Sequence, residues 1–332
     1  MTGSAPIVKT LRAVSTTAGV LLLILAAAGT AIRYLPVTNQ ALVVTATLSP
    51  YLMLAGLVAP LIFLVTRHWT LAVISLLLTI AILVTLVPRF LPAARPSEES
   101  AALRVMTANV YEGHADPAGL VNTATRSADV LSVQELTPEA AEKFSAAGLD
   151  AVFPYRVLET RRGASGTGLW SRFPISASRV LDGYVHAMVI ARLRMPEVGI
   201  DPTVFAAHLP APVPGYLDEW NRELGELRAV FGDIAAAAGA GCVIVAGDLN
   251  STPAMKPFRD LLEGGYGDAS DQAGAGLTPT YPADREFIPP VFPIDHILTR
   301  HCAATSVVTI DVPGSDHRGL VAEVLIPAGG SD

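Results

Sequence analysis

Three long stretches without a formal charge dominate the chain before Arg89. AVSTTAGVLLLILAAAGTAI runs between Arg12 and Arg33, LVVTATLSPYLMLAGLVAPLIFLV fills the second half of the gap between Arg33 and Arg67, and WTLAVISLLLTIAILVTLVP follows His68. A helix needs about 20 apolar residues to cross the hydrocarbon core of a bilayer. Each stretch meets that length, and three in succession are not the pattern of core helices in a soluble protein. The expectation is three transmembrane helices at about 13–32, 42–65 and 69–88. Pro50 and Pro60 fall inside the second, where neighbouring helices can satisfy the freed carbonyls. A cleaved signal peptide is the alternative for the first stretch, with Ala26-Ala27-Ala28 as small residues of the cleavage type, but two further spans would remain.

The rest of the chain belongs to a different solvent. Residues 1–101 hold six Lys/Arg and two Asp/Glu, a surplus of four positive charges; the remainder holds 17 Lys/Arg and 28 Asp/Glu, a deficit of 11. Two bodies follow: a membrane domain over 1–95, ending in the Pro- and Ser-containing linker RFLPAARPSEES, and a second domain over 102–328. Lys/Arg residues divide almost evenly between the two sides of three crossings. Lys9 and Arg12 favour a cytoplasmic N-terminus and an extracytoplasmic C-terminal domain in a multi-pass protein of the cell membrane. Cys242 and Cys302 both sit in apolar strand-like runs. Buried free thiols are the default reading, with a disulfide open to them outside the cytoplasm.

From Leu103 onward the pattern shifts to short β-rich runs bounded by Gly, Pro, Asp and Asn. LRVMTAN, DVLSVQE, GLWS, VIARLR, TVFAAH, CVIVAGD, IDHILT, TSVVTIDV and LVAEVLI all read as strands. Several are apolar on both faces, as strands covered on each side should be. Helices are expected at Ala118–Ser127, Pro138–Ala147 and Leu217–Ala238, the last with a stripe through Leu224, Leu227 and Phe231. This is an α/β (α+β) pattern, a packed sandwich of sheets and helices.

Strand after strand ends in a residue able to bind metal or move a proton: Asn109, Glu135, His208, Asp248 with Asn250, and Asp316-His317 just before the last strand. Each has a bland reading alone. Asn109 could open a turn, Glu135 could cap the helix after Thr137-Pro138, and Asp248 could form an Asx turn. Their coincidence at strand ends points instead to metal-assisted hydrolysis at phosphorus. Asn109, Glu135 and Asp316 offer hard oxygens suited to Mg²⁺ or Mn²⁺, whereas a thiolate or clustered-histidine zinc set is missing. Asp248 with Asn250 can hold an attacking water, and an Asp–His pair can supply an oriented imidazole to developing negative charge.

The ordered set TANVYEG, SVQELTP, GTGLWSRFPI, AAHLPAP, VAGDLNSTP, PIDHILT and GSDHRGL resembles the endonuclease/exonuclease/phosphatase (DNase I-like) superfamily. That superfamily includes DNase I-like nucleases, inositol polyphosphate 5-phosphatases and neutral sphingomyelinases. The resemblance implies a four-layer sandwich, two mixed β-sheets face to face with helices outside. It implies that Asn109, Glu135 and Asp316 are metal-site residues, and that His208, Asp248, Asn250, Asp295 and His317 are catalytic, Asp295 bracing His317. His296 is assigned to its strand. The glutamate that partners the first histidine in DNase I-type enzymes has Glu159 as its nearest candidate.

Fold does not name the substrate. A nuclease draws affinity from Lys and Arg on phosphates, and the C-terminal domain is strongly acidic with no basic run beyond Arg161-Arg162. Membrane helices hold the domain near lipid headgroups. This layout also resembles membrane proteins associated with teicoplanin and vancomycin resistance, which implies an outward domain acting on a lipid-linked phosphate or pyrophosphate. The expected partners are the bilayer and that phosphate ester, nucleic acid being less favoured; no protein partner can be inferred. The alternatives are an extracytoplasmic metal-dependent nuclease and a non-catalytic envelope binding protein.

Overall fold

The computed structural model describes residues 4–93 and 100–328, and divides into two compact units, one built mainly from residues 1–88 and the other from most of the remainder. The middle of the expected linker, 94–99, lies outside the described residues.

The first unit is helical: α1 (Ser4–Ala31), α2 (Gln40–Thr47), α3 (Ser49–Ala55), α4 (Ala59–Val65) and α5 (Trp69–Leu86). Two helical stretches, Ile7–Tyr34 and Trp69–Phe90, are long and apolar enough to cross a membrane. The middle stretch departs from the uninterrupted helix expected at 42–65. It bends by 61° between Thr47 and Ser49, so the unit holds three spans only if the bent pair counts as one. The break falls just before Pro50, which has no N–H to donate, and a 3-10 turn at Gly56–Val58 precedes Pro60. Close packing at small residues compensates. A Cβ at Gly56 would lie 2.3 Å from that of Ala26, and Ser49 Oγ donates to the Gly29 carbonyl at 2.7 Å. Arg12 Nε donates to the Thr66 carbonyl at 2.8 Å, so the chain has returned by residue 66 to the end of the bundle where α1 began. Leu21, Leu77 and Val84 are among many large apolar side chains that face outward.

The second unit contains β1 (Ser100–Asn109), α6 (Pro117–Ser127), β2 (Val130–Gln134), α7 (Pro138–Ala146), α8 (Leu149–Val152), β3 (Tyr155–Glu159), β4 (Thr167–Ser171), β5 (Ile175–Leu181), β6 (Met188–Leu193), β7 (Thr203–His208), α9 (Leu217–Ala238), β8 (Val243–Asp248), α10 (Lys256–Leu261), β9 (Gly267–Asp268), α11 (Ala269–Gln272), β10 (Asp295–Arg300), β11 (Ala303–Ile310) and β12 (Gly319–Pro327). One six-stranded sheet runs β11-β12-β1-β2-β4-β3 and the other β5-β6-β7-β8-β10-β9. Both are mixed, since β1 pairs β2 in parallel and β7 pairs β8 in parallel among antiparallel neighbours. Leu103, Val105 and Val324 of the first sheet pack on Val189, Val204 and Ile244 of the second. Phe144, Leu120 and Leu149 cover the outer face of the first sheet, and Phe231 of α9 meets Phe205 of the second edge-on at 6.2 Å. These are the four layers expected.

Helix starts follow from their caps. Asp116 accepts from Gly119 N at 2.6 Å ahead of Pro117, and Thr137 accepts from Ala140 N at 3.1 Å ahead of Pro138. With Thr137 as cap, Glu135 is left free for other work.

Cys242 and Cys302 form a disulfide, their Cα atoms 5.3 Å apart, which corrects the default reading of free thiols. They flank β8 and β10, neighbours whose register brings Val243 opposite Arg300, a pairing made at long range. Cys302→Ser is expected to destabilise the unit by about 2–4 kcal/mol in denaturant titration. Hydrolytic activity in the folded state should be unchanged, because the bridge lies at the end of β8 away from Asp248.

Candidate active site

Sheet register brings the polar strand ends together. Asn109 pairs with Gln134 across β1 and β2, His208 with Asp248 across β7 and β8, and Asp248 with Asp295 across β8 and β10. Because β12 runs antiparallel to β1, the Asp316-His317 segment before it arrives at the same edge. A buried polar chain fixes one sheet on the other beneath this edge: Thr107 Oγ1 donates to Gln134 Oε1 (2.9 Å), Gln134 Nε2 to Ser132 Oγ (2.8 Å), and Ser132 Oγ to the Ala246 carbonyl of the facing sheet (2.9 Å). A Cβ at Gly247 would stand 1.8 Å from the Ala207 carbonyl oxygen, so only glycine allows the close approach that sets His208 beside Asp248.

Asn109 joins the two sheets. Its Nδ2 donates to Glu135 Oε1 at 3.0 Å and to Asp248 Oδ2 at 3.1 Å, while its Oδ1 accepts from Tyr111 N at 2.9 Å. Glu135, in the left-handed region at φ 59°, also accepts from Glu112 N at 2.7 Å. Asp248 Oδ1 accepts from Asn250 N at 2.9 Å, and Asn250 Nδ2 donates to the Leu209 carbonyl at 2.9 Å. The turn readings of Asn109 and Asp248 are therefore correct as far as they go. One oxygen of each side chain builds a turn, and the other end of the group enters the site.

His317 is braced on two sides. Its Nδ1 lies 2.8 Å from Asp295 Oδ2 and its Nε2 3.8 Å from Asp248 Oδ2, with the Tyr281 ring at 4.9 Å. Burial works against its charge, but Asp295, Asp248 and Asp316 outweigh it and raise its pKa to about 10. Burial, then Asp295, pushes Asp248 up to about 7. His208 is the opposite case. It is buried 4.0 Å from Asp248, and burial with His186 and His317 holds its pKa well below 6.5, so it is a neutral imidazole and that approach is not an ion pair. Glu159, expected as its partner, is engaged by Arg161 at 3.3 Å; the ring against His208 is that of His186, centroids 3.9 Å apart. His296 is structural, held by Asp268 (3.0 Å) and the Ser251 carbonyl (2.9 Å).

The eight residues expected at the site thus lie at the same end of the two facing sheets. Sequence reasoning missed Ser315, whose Oγ donates to the Asn109 carbonyl (2.7 Å) and accepts from His317 N (3.0 Å), and which stood in plain view beside Asp316-His317. It also missed Tyr281 and His186, which no local motif marks.

The donor set fits a divalent cation. Asp316 Oδ1 is buried without a hydrogen-bond partner. Burial raises the pKa of both Glu135 and Asp316, and Asp316 raises that of Glu135 further, as expected of two acids awaiting a positive charge. Among the described residues Asp248, Asp295 and His317 also place donor atoms within 4.8 Å of one another. A metal there would have to displace the proton that the two aspartates stabilise on His317.

The profile of the Endonuclease/Exonuclease/phosphatase family matches residues 106–317. D. rerio TDP2 complexed with a single-strand DNA product is similar over 68% of this chain and 99% of its own, at 20% identity and a TM-score of 0.56. An endonuclease/exonuclease/phosphatase from Bacteroides vulgatus is similar over 68% and 98%, at 16% identity and a TM-score of 0.54. At such identities the likeness concerns the fold. No curated protein matches the sequence at a significant level. With the family profile spanning well over half the chain, and with both sheets and the acid–imidazole edge in place, this protein belongs to the endonuclease/exonuclease/phosphatase family of metal-dependent hydrolases acting on phosphate ester bonds.

Proposed function

We propose that the protein is a membrane-anchored phosphohydrolase or phosphodiesterase acting on a lipid-linked phosphate or pyrophosphate at the cell envelope. One observation carries the reading: a phosphoester-hydrolase domain with a large excess of acidic residues shares its chain with helices long and apolar enough to cross a membrane. The acidic domain disfavours a polyanionic substrate, while anchoring raises the effective concentration of lipid headgroups. The bond from Arg12 to the Thr66 carbonyl supports three crossings, and the disulfide supports an extracytoplasmic C-terminal domain.

In this reading Glu135 and Asp316 would hold Mg²⁺ or Mn²⁺, with Asn109 completing the metal site and aligning Glu135 against Asp248. When bound, the ion supplies Lewis-acid polarisation of a phosphoryl oxygen. Asp248, poised near neutrality, accepts a proton from the attacking water, and Asn250 fixes its carboxylate through the turn they share. The His317 imidazolium, held in orientation by Asp295, stabilises negative charge as the ester bond opens. Neutral His208 offers a hydrogen bond to a phosphoryl oxygen without adding charge.

The test compares full-length protein on short DNA, a prenyl pyrophosphate and a phospholipid, with His317→Ala as control. Metal-dependent turnover of a lipid ester is expected; rapid DNA cleavage without lipid turnover would sink the proposal. That second reading, an extracytoplasmic nuclease, has in its favour the similarity to a TDP2 solved with DNA. Topology has its own check. Ser306→Cys, at an exposed position of edge strand β11, is expected to react with an impermeant maleimide in intact cells; protection there would place the domain inside.

A further inference from the structure

Large apolar side chains are unevenly exposed in the hydrolase domain. Of the eight such side chains exposed between residues 100 and 328, five lie on three loops that leave the site: Tyr111, Val213, Tyr216, Phe287 and Ile288. Tyr111 is two residues beyond Asn109 and donates its N–H to that side chain. Val213 and Tyr216 follow Leu209, whose N–H donates to the Asp248 carbonyl at 3.0 Å and whose own carbonyl accepts from Asn250. Phe287 and Ile288 form the tip of the longest loop. Its stem is tied to the site where Ala283 N donates to the Asp316 carbonyl (2.7 Å) and Arg318 N to the Thr280 carbonyl (2.8 Å), with Tyr281 bridging to Phe292. Phe287 is 88% exposed and Ile288 55%; a single exposed apolar side chain is ordinary, but two adjacent ones grouped with others on neighbouring loops mark a surface for an apolar partner.

We infer that these tips form an interfacial collar around the active-site mouth, entering the headgroup and upper acyl region of a bilayer so that a lipid-linked phosphate reaches the site without leaving the membrane. The occupant is a lipid surface because the same chain carries membrane-crossing helices, which keep such a surface at high effective concentration. Asp284, Arg285 and Glu286 precede the Phe287-Ile288 tip and Pro289-Pro290 stiffens its descending side, which suits a short apolar wedge with a polar shoulder. Electrostatics alone would not draw so acidic a domain onto an anionic leaflet, and the apolar tips supply attraction that does not depend on charge. The inference deepens the lipid-linked substrate reading and rests on it.

Both native cysteines are paired, so a cysteine introduced into the full-length chain can be labelled selectively. Phe287→Cys carrying an environment-sensitive fluorophore is expected to shift to the blue in phosphatidylcholine/phosphatidylglycerol vesicles and to be quenched by a lipid-borne nitroxide. Ile200→Cys, before β7 at the end opposite His208, should be quenched by aqueous iodide instead. In parallel, Phe287→Ser with Ile288→Ser should raise KM for a bilayer-embedded ester about tenfold. Its hydrolysis of water-soluble bis(p-nitrophenyl) phosphate should be unchanged. Equal iodide access at 287 and 200, or shielding of 287 only when a second protein is added, overturns the inference. Quenching at 287 without turnover of any lipid ester would instead defeat the substrate reading and leave the collar standing.

Discussion

Replacement of His317 by alanine is expected to lower phosphodiester turnover by about 10²–10⁴-fold, with KM little changed. The imidazole lies 2.8 Å from Asp295 and 3.8 Å from Asp248, so its charge and direction are both prescribed before substrate arrives. Asp295→Asn should lose much of the same activity, because the acceptor that orients Nδ1–H is replaced by an amide able to present a donor. Titration by NMR on EDTA-treated protein separates this from simple unfolding. In the parent His317 should stay protonated through neutral pH, its pKa raised to about 10, and in Asp295→Asn it should titrate lower. The sign for stability follows. The folded value lies above the ordinary 6.5, so the bound proton stabilises the fold fully below about pH 6.5, and that contribution is lost as pH rises through about 10. The stability gap between parent and His317→Ala should therefore shrink from neutral to alkaline pH.

Loss of the cation is expected to have the second large effect. EDTA should reduce turnover to background, and Mg²⁺ or Mn²⁺ should restore it. Glu135→Ala should lower metal-supported turnover by about 10³-fold, the several kcal/mol that a Lewis acid at phosphorus supplies. It should also abolish calorimetrically detected Mn²⁺ binding. Glu135 has no near substitute: its backbone sits at φ 59°, and its carboxylate is aimed by Asn109 and Glu112 N. Glu159→Ala is the informative control. That carboxylate is engaged by Arg161, so its removal should leave metal dependence intact.

Much of the hydrolase fold is legible in the sequence wherever strands are covered on both faces. β2, β4 and β8 are wholly buried: β8 appears as an apolar run up to Asp248, and β2 and β4 as short β-rich runs whose buried polar members are Ser132, Gln134, Thr167 and Ser171. The three strands that escape notice, β3, β5 and β9, all lie at sheet edges. β3 and β5 are largely exposed or half-buried, and β9 has two residues, so none carries enough apolar signal to stand out from a loop. In the helical unit, hydropathy locates the middle apolar stretch but not its 61° bend, which depends on how Gly29, Ser49 and Gly56 let neighbouring helices close around the breaks.

Residue type and local period were enough to mark the apolar helices, the buried strands and the polar groups at strand ends, since each is a property of a few consecutive residues. Tertiary structure alone decided which of those groups meet and in what state. Asn109 reaches Asp248 across 139 residues, and the two cysteines pair across 60. His208 and His317 are identical in sequence terms, yet one is neutral and the other charged. His317 is surrounded by carboxylates and His208 packs against a second imidazole, and a side chain's charge is set by neighbours through space.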